Sequence, residues 1–270
     1  MTNRLFLTIA ATLAALALAA APAEARSKGE KAERLVADAA ETVSYFAQDS
    51  AYEPLWDLAD SAKAMVVVPR SLRGGFMFGA SGGNAVMVAR KEDGGWSEPT
   101  FFTIGSISFG FQAGGEASEI VLLVMTQRGV EQLLSTSVKL GGDLSLAAGP
   151  VGGGAKAQTA DILAFSRSRG LYGGVSLEGA VLKTRHSWNS GYYGEEVTPV
   201  DVIYREKVAQ PQSAILQNAV WALANRDGAP AGLAPGSVAP VQPAAIDPVT
   251  GEPLPEEPVY EDDAIYGEPR

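Results

Sequence analysis

The residues that decide the fold run from Ala64 to Arg90 and read AMVVVPRSLRGGFMFGASGGNAVMVAR. Short apolar runs alternate with glycine pairs in this stretch, and the runs are rich in valine and methionine. Glycine this dense within strands marks bulges, sharp bends and close approaches of the backbone. We therefore expect a strongly curved, glycine-rich antiparallel β-sheet or a small barrel, rather than a flat sandwich.

The same pattern continues to about residue 205, and most of the 30 glycines lie between Gly74 and Gly194. Apolar runs bounded by turn residues predict strands. The segments predicted as strands are Ala64–Val68, Gly75–Ala80, Ala85–Arg90, Phe101–Ile107, Ile120–Met125, Leu144–Ala148, Ile162–Ser168 and Val175–Thr184. The sequence Glu92-Asp93-Gly94-Gly95 predicts a hairpin turn.

Helical patterns flank the strands and make the expected fold class α+β. Apolar residues recur at helical spacing in the first segment, namely Leu35, Val36, Ala39, Val43 and Phe46. The opposite face mixes charges of both signs, which favours packing on the core over lying on a membrane surface. A short helix is predicted from Thr126, as its N-cap, to Ser135, and a last helix from Pro211 to Asn225.

The first 25 residues are typical of a cleavable secretory signal peptide. Arg4 supplies the positive start, an apolar run covers Leu5–Ala20, and small residues follow. Cleavage after Ala25 is expected, with Ala23 as the alternative. The apolar run is shorter than the ~20 residues that span a bilayer, and no cysteine lies near the junction for lipid attachment. The expected product is periplasmic or secreted, neither transmembrane nor a lipoprotein.

The other end of the chain differs in composition. Residues 229–270 contain nine of the 16 prolines and eight acidic residues against one basic residue, Arg270. Such a segment buries too little apolar surface to offset the entropy of ordering, so a disordered acidic tail is expected. The predicted organisation is a signal peptide over 1–25, one domain over 26–228 with its core at about 31–205, and the tail.

Composition also excludes several classes of function. The chain has no cysteine and one histidine, which excludes cysteine-ligated metal sites and thiol nucleophiles and leaves too few ligands for most zinc sites. The formal net charge of −10 is concentrated in the tail, and residues 26–228 hold 22 acidic and 19 basic residues. Without a clustered basic excess, no nucleic-acid partner is indicated. No paired catalytic constellation is identifiable, so we expect no enzymatic activity, no cofactor and no metal.

Two motifs resemble a known family. The run 166–179 reads SRSRGLYGGVSLEG and resembles the signature of the SYLF domain family, and 189–194 reads NSGYYG and is similar to that family's N-x-x-Y-Y-G close. Further similar features occur upstream in the family's order, namely Ala64–Pro69, Gly74-Gly75-Phe76, Trp96–Pro99, Leu140-Gly141 and Ala148–Gly152. The resemblance covers roughly residues 31–205.

The resemblance implies a binding protein rather than an enzyme. Eukaryotic SYLF domains bind phosphoinositide membranes and some bind actin, whereas bacterial members are exported and described as lipid-binding. An exported bacterial chain would meet neither actin nor phosphoinositides. This sequence shows neither an SH3 nor a FYVE domain, and its first helix is not obviously basic.

Candidate lipid-binding residues are cations near glycine-rich loops. They are Lys63, Arg70, Arg73, Arg167, Arg169, Lys183 and Arg185. Arg167 and Arg169 alternate along one strand, as Lys183 and Arg185 do along another, so each pair shares a strand face. If the two strands are neighbours, the four cations form one phosphate-binding strip. The alternative is a solvated, ion-paired face.

Glu178 is a candidate for a structural ion pair. It lies in a predicted glycine-rich strand, where a buried carboxylate would need Arg167 or Arg169 as its partner. A general acid or base is the alternative, but no second catalytic group is identifiable beside it.

The sequence therefore predicts a non-enzymatic exported protein that binds a lipid or membrane surface through Arg and Lys strips, with an amphipathic helix as a possible second contact. The alternative is an envelope structural or protein-interaction protein that uses its Pro-rich tail. A hydrolase built on Glu178 is a third hypothesis, which the lack of a paired constellation argues against.

Overall fold

Strands and helices were assigned in a computed structural model. The structure describes residues 27–75, 78–109, 114–148, 159–169 and 177–226. The predicted signal peptide and the predicted tail lie outside these residues. The chain divides into two units, Met1–Pro235 and Gly236–Arg270, and the described residues all lie in the first. Within the described ranges, no helix is both long and apolar enough to cross a bilayer.

The N-terminal helices pack on the sheet. Helix α1 spans 27–48, a 3₁₀ turn covers Ser50–Tyr52, and α2 spans Glu53–Ala59. The predicted apolar stripe of α1 is buried in the core, with Val36, Val43 and Phe46 at most 1 % exposed. This helix therefore has no free apolar face, and the expectation that it packs on the domain core is confirmed.

Eight strands form one sheet. They are β1 (Ala64–Gly75), β2 (Phe78–Ala89), β3 (Thr100–Phe109), β4 (Gly114–Val124), β5 (Ser137–Lys139), β6 (Leu146–Ala148), β7 (Ile162–Arg169) and β8 (Val181–Thr184). Their order is β5-β8-β3-β2-β1-β4-β7-β6, and every pair is antiparallel except β6–β7. The predicted α+β class with a strongly curved, glycine-rich sheet is confirmed.

The connectivity forces the sheet to curl into a half-barrel. A flat sheet of eight strands would hold its edge strands about 34 Å apart. The edge strands β5 and β6 are consecutive in sequence, and the chain from Lys139 to Leu146 reaches at most about 25 Å when extended. A parallel bridge between Leu140 and Leu144 brings the two edges together at one end.

Alternation along the strands builds two cores. On β1, Met65 and Val67 join the cluster that packs under the helices, whereas Val66 and Val68 join a second cluster inside the curl. We call these the outer and the inner face of the sheet. All four side chains are fully buried, because both faces are covered at this end of the strand.

Helix α3 (Gln127–Leu133) begins at Thr126, whose side chain accepts a hydrogen bond from Gly129 N, as the sequence predicts. Asp161 ties this helix to the sheet: it accepts hydrogen bonds from Thr126 Oγ1 at 2.7 Å and from Ser145 Oγ at 2.8 Å. Burial alone would raise the pKa of Asp161, but these hydrogen bonds and nearby Arg128 lower it below its usual value.

The C-terminal helices are α4 (His186–Tyr193), α5 (Pro199–Ile203) and α6 (Ala214–Ala224). The NSGYYG motif forms the end of α4, and Gly194 terminates that helix in the left-handed conformation. Tyr192 and Tyr193 are buried in the outer core. The last helix appears where it was expected, preceded by a 3₁₀ turn at Pro211–Ser213.

Several strand predictions need correction. Gly75–Ala80 and Ala85–Arg90 were predicted as two strands, but the chain continues as one strand, β2, through Ser81-Gly82-Gly83-Asn84. β8 begins at Val181 rather than Val175, and the residues before Leu177 lie outside the described ranges. Strand β5 and helix α4 were not predicted. The hairpin turn after β2 is present, closed by Arg90 and Trp96.

Candidate functional site

The site is a row of residues that crosses the outer face where the helices end. Arg70 on β1 is the register partner of Asn84 on β2, Asn84 pairs with Thr103 on β3, and Thr103 pairs with Lys183 on β8. Directly opposite residues on neighbouring strands share a face and lie about 5 Å apart. Arg70 and Lys183 are exposed.

A local irregularity turns Arg70 outward. The register of β1 shifts against both neighbours around Pro69, between Val67 and Arg70 on the β2 side and between Val68 and Ser71 on the β4 side. One extra residue in a strand reverses the side-chain alternation that follows. The bulge therefore places Arg70 on the outer face, and it leaves Arg73 on the inner face opposite Glu116.

Arg185 joins the row from the start of α4. Its Nη1 donates a hydrogen bond to Asn84 Oδ1 at 2.6 Å, and its guanidinium lies 4.1 Å from the centre of the Trp188 ring. Burial lowers the pKa of Arg185 from its usual value. An arginine has so high an ordinary pKa that it keeps its charge at neutral pH.

The other end of the row is an ion pair. Arg167 on β7 pairs with Glu119 on β4, with Nε 2.9 Å from Oε2 and Nη2 3.1 Å from Oε1. The guanidinium also stacks on Tyr45 of α1, 4.6 Å from the ring centre. Arg167 and Arg70 line one small cavity of about 240 Å³ together with Pro69 and Glu119.

We define the cation row as Arg167, Arg70, Arg185 and Lys183. It crosses six strands, from β7 to β8, a distance of about 24 Å measured along the sheet. Glu119 is the acidic residue within it, and it is bound to Arg167. Such a row can attract anionic groups spread over a surface.

The structure brings some predicted residues together and separates others. Four strands lie between β7 and β8, so the expectation that these two strands are neighbours is wrong. Arg167 and Lys183 nevertheless occupy one face, at opposite ends of the row, and Arg70 lies between them. Lys63 is exposed at the far end of β1. The side chain of Arg169 lies outside the described residues.

The ion pair predicted for Glu178 is not formed with Arg167. Glu178 is exposed, in the turn before β8, and the partner of Arg167 is Glu119. Glu178 itself is a turn residue and not part of a strand, and a pairing with Arg169, the other predicted partner, lies outside the described residues. An exposed carboxylate needs no buried counter-ion.

Sequence reasoning missed the neutral and aromatic residues that hold the row. Asn84, Trp188 and Tyr45 each contact one of its arginines. The one available signal was Asn84, a polar residue between a glycine pair and an apolar run. Its partner is 101 positions away in the chain, which no local pattern reveals.

A second cleft lies at the opposite end of the sheet, with a volume of about 650 Å³. Its lining includes Lys63, Arg90, Lys91 and Glu206, and Lys91 Nζ lies 3.0 Å from Glu206 Oε2. Arg90 is held by the backbone carbonyls of Ala59 and Ala62. In the part of the chain that the structure describes, no three acidic or histidine side chains are grouped to hold a metal ion.

The fold and this surface define a curled-sheet α+β domain with a cationic face. Comparison with protein families matches residues 105–223 to the family described as "Las17-binding protein actin regulator", or Ysc84. The chain belongs to this family, which is the SYLF family. No match was found among solved structures.

Curated relatives agree with this assignment. The chain is 31 % identical over 185 residues to "LAS seventeen-binding protein 3" of Saccharomyces cerevisiae, covering 66 % of this chain and 40 % of that protein. It is 31 % identical over 189 residues to "SH3 domain-containing YSC84-like protein 1" of Homo sapiens, covering 68 % and 54 %. The chain thus spans about half the length of the relatives it matches. Proteins of this family are binding proteins.

Proposed function

We propose that this protein is a non-enzymatic binding protein that attaches to anionic phospholipid surfaces through the cation row. The observation that carries the proposal is the concentration of four cations on one face of a domain that is otherwise slightly acidic. Each Lys or Arg close to an anionic membrane contributes about 1 kcal/mol. Binding by the row alone is therefore weak, reversible and sensitive to salt.

The geometry suits a surface better than a small pocket. The row is about 24 Å long, whereas a single phosphate contacts only one or two cations. Arg70 and Lys183 are exposed, and Arg185 is held in place by Asn84 and Trp188. In this proposal helix α1 does not insert into the membrane, because its apolar stripe is buried in the core.

Vesicle flotation tests the row directly. The double variant Arg70→Glu/Lys183→Glu reverses two charges, and we expect it to lose at least tenfold in affinity for anionic vesicles, since about 1 kcal/mol per cation is involved. The matched comparison is between the single variants Lys183→Glu and Lys63→Glu, because each reverses one charge at an exposed lysine and Lys63 lies at the opposite end of the sheet. Equal losses in these two single variants, or no binding of the unchanged protein to anionic vesicles at low salt, would refute the proposal.

We also propose that the protein acts outside the cytoplasm. The sequence supports a signal peptide at residues 1–25, a domain at 26–228 and an acidic tail at 229–270. Mass spectrometry of the secreted or periplasmic product tests this, with a new N-terminus at Arg26 as the expected result. Recovery of the full-length chain from the cytoplasm alone would refute it.

A protein partner is the second candidate, favoured by relatives that are named for binding Las17. The Pro-rich segment 229–270 is the proposed contact on this chain. Pull-down with the full chain and with a chain lacking 229–270 distinguishes binding through the tail from binding through the folded domain. Only a partner that binds the tail should be lost from the shortened chain. Retention of every partner by the shortened chain would argue against the tail.

A further inference from the structure

The outer face of the sheet beyond the cation row carries exposed apolar side chains. Leu72 on β1 is 50 % exposed, Ile107 on β3 is 79 % exposed and Val181 on β8 is 38 % exposed. Exposed aliphatic side chains that are grouped on one face of a protein mark a surface that a partner or a membrane covers.

Strand register places these side chains in two adjoining rows. One row contains Ala117, Leu72, Gly82, Gly105 and Val181, and the next contains Gly115, Gly74, Ala80 and Ile107. The residues between the aliphatic side chains are glycine and alanine, which add no polar group. We call these two rows the apolar patch. No position in it is acidic.

The spacing from the cation row matches the depth of a membrane interface. Leu72 lies two residues beyond Arg70 along β1, and Val181 lies two residues before Lys183 along β8. Ile107 lies four residues beyond Thr103, the member of the same cross-strand row on β3. At about 3.3 Å per residue these side chains lie about 7 and 13 Å past the cations. An apolar face at a membrane interface is buried about 5–10 Å into the boundary between headgroups and acyl chains, so Leu72 and Val181 lie within this depth and Ile107 lies just beyond it.

We propose that the apolar patch inserts into the outer hydrocarbon of an anionic lipid leaflet while the cation row lies at the level of the phosphates. This inference rests on the proposed function, and it adds the depth and orientation of the bound domain. The C-terminal ends of β1 and β3 and the N-terminal end of β2 point toward the bilayer. Helices α1 and α6 remain on the water side.

Charge decides between a bilayer and a second copy of the chain as the occupant. The cation row borders the apolar patch along one edge. Lys139, the register partner of Val181, lies beside the patch on β5. A symmetric dimer through this face would offer these cations no acidic partner, because no position of the apolar patch is acidic and Glu119 is already bound to Arg167. An anionic leaflet offers phosphates to the cations and acyl chains to Leu72 and Ile107.

A fluorophore at one position tests the insertion, and the chain has no native cysteine to interfere. Ile107→Cys labelled with an environment-sensitive nitrobenzoxadiazole probe is compared with Ile215→Cys, which is 54 % exposed on α6. With vesicles of phosphatidylglycerol and phosphatidylcholine, we expect at least a twofold rise in emission at position 107 and quenching by acyl-chain-brominated lipid. No change is expected at position 215.

Flotation of the same labelled proteins separates the two proposals. Binding to vesicles with no emission change at 107, or with equal changes at 107 and 215, would overturn the insertion while leaving membrane attachment standing. Absence of vesicle binding would overturn both. A rise at 107 that needs only a higher protein concentration, without vesicles, would assign the patch to a second copy and overturn the insertion.

Discussion

Arg185 Nη1 donates a hydrogen bond of 2.6 Å to Oδ1 of Asn84, a residue 101 positions earlier in the chain. This contact joins the start of α4 to the middle of β2 and holds the guanidinium over Trp188. Asn84 is also the register partner of Arg70. One neutral amide therefore stands between two arginines of the cation row, and it stabilises one of them without cancelling its charge.

Replacing that amide with a carboxylate should weaken membrane attachment. Asn84→Asp keeps the acceptor oxygen for Arg185 but adds a negative charge beside Arg70. Because one charge near an anionic surface is worth about 1 kcal/mol, we expect roughly a fivefold loss of affinity for anionic vesicles. Flotation over a series of lipid concentrations measures it, and the free energy of unfolding should not fall, since the new carboxylate pairs with Arg185.

Gln132→Glu is the control for Asn84→Asp. It adds the same charge by a similar isosteric change at an exposed position on α3, away from the cation row. If both variants lose affinity equally, only the net charge of the protein matters and the row has no special role.

The ion pair of Arg167 and Glu119 should act mainly on stability. Their side chains are 25 % and 19 % exposed, so removing one partner leaves the other charge largely shielded from water. We expect Arg167→Ala to lower the free energy of unfolding by about 1–3 kcal/mol. Arg167→Lys should recover only part of the free energy of unfolding, because lysine cannot make both contacts to Glu119 and also stack on Tyr45.

Urea unfolding of Arg167→Ala, Glu119→Ala and the double variant measures the coupling between the two residues. A favourable coupling energy of at least about 0.5 kcal/mol is expected for partners in direct contact. Additive losses would mean that the pair contributes nothing beyond its separate contacts.

The local parts of the fold could be predicted from the sequence because short-range patterns determine them. The apolar period of α1, the N-cap Thr126 and the Pro211 start of the last helical segment are all local signals. The glycine pairs correctly indicated strong curvature. The continuity of β2 through Gly82-Gly83 was misjudged, because glycine pairs that usually mark a turn here permit a close backbone approach inside the sheet.

The candidate site was only partly predictable. Two-residue spacing assigned Arg167 and Lys183 each to one face of its strand, and in the structure Arg167 is half-buried on the outer face whereas Lys183 is exposed there. The order of the strands depends on pairings between segments far apart in sequence, such as β3 with β8, and no pattern within either segment encodes it. Arg70 could not be assigned to the outer face either, because the bulge at Pro69 shifts the alternation.

Gly83 should be harder to replace than its neighbour Gly82 in this strand. A Cβ at this position would lie 2.5 Å from the backbone oxygen of Arg70, which cannot move without disturbing the bulge. We expect Gly83→Ala to lower the free energy of unfolding by about 1–3 kcal/mol, in the range of overpacked sites. Gly74→Ala is the control, since nothing lies within 4 Å of its Cβ position. Equal unfolding midpoints in urea would show that the bulge adapts.

The last prediction concerns Glu98, which anchors the C-terminal segment. Its Oε2 accepts hydrogen bonds from Ser213 Oγ at 2.5 Å and from Gln210 N at 3.2 Å. The hydroxyl of Ser213 has a single hydrogen and donates it in the hydrogen bond to Glu98. Tyr192 OH, which lies 2.9 Å from Ser213 Oγ, is therefore the donor in the bond between Tyr192 and Ser213. Burial raises the pKa of Glu98 above its ordinary value of 4.5, although these hydrogen bonds and nearby Lys91 oppose the shift.

A raised pKa means that the folded state binds a proton more tightly than the unfolded chain does. The stabilisation of the folded state that comes from this tighter proton binding is fully present below pH 4.5, and it is lost as the pH rises through the folded-state pKa of Glu98. Glu98→Gln cannot ionise and keeps an acceptor oxygen for Ser213. As the pH rises above 4.5, the free energy of unfolding of Glu98→Gln should therefore increase relative to that of the unchanged protein. Urea unfolding between pH 4 and 8 measures the difference, with the exposed Glu92→Gln as control. Parallel pH profiles for the unchanged protein and Glu98→Gln would show that burial does not perturb this carboxyl group.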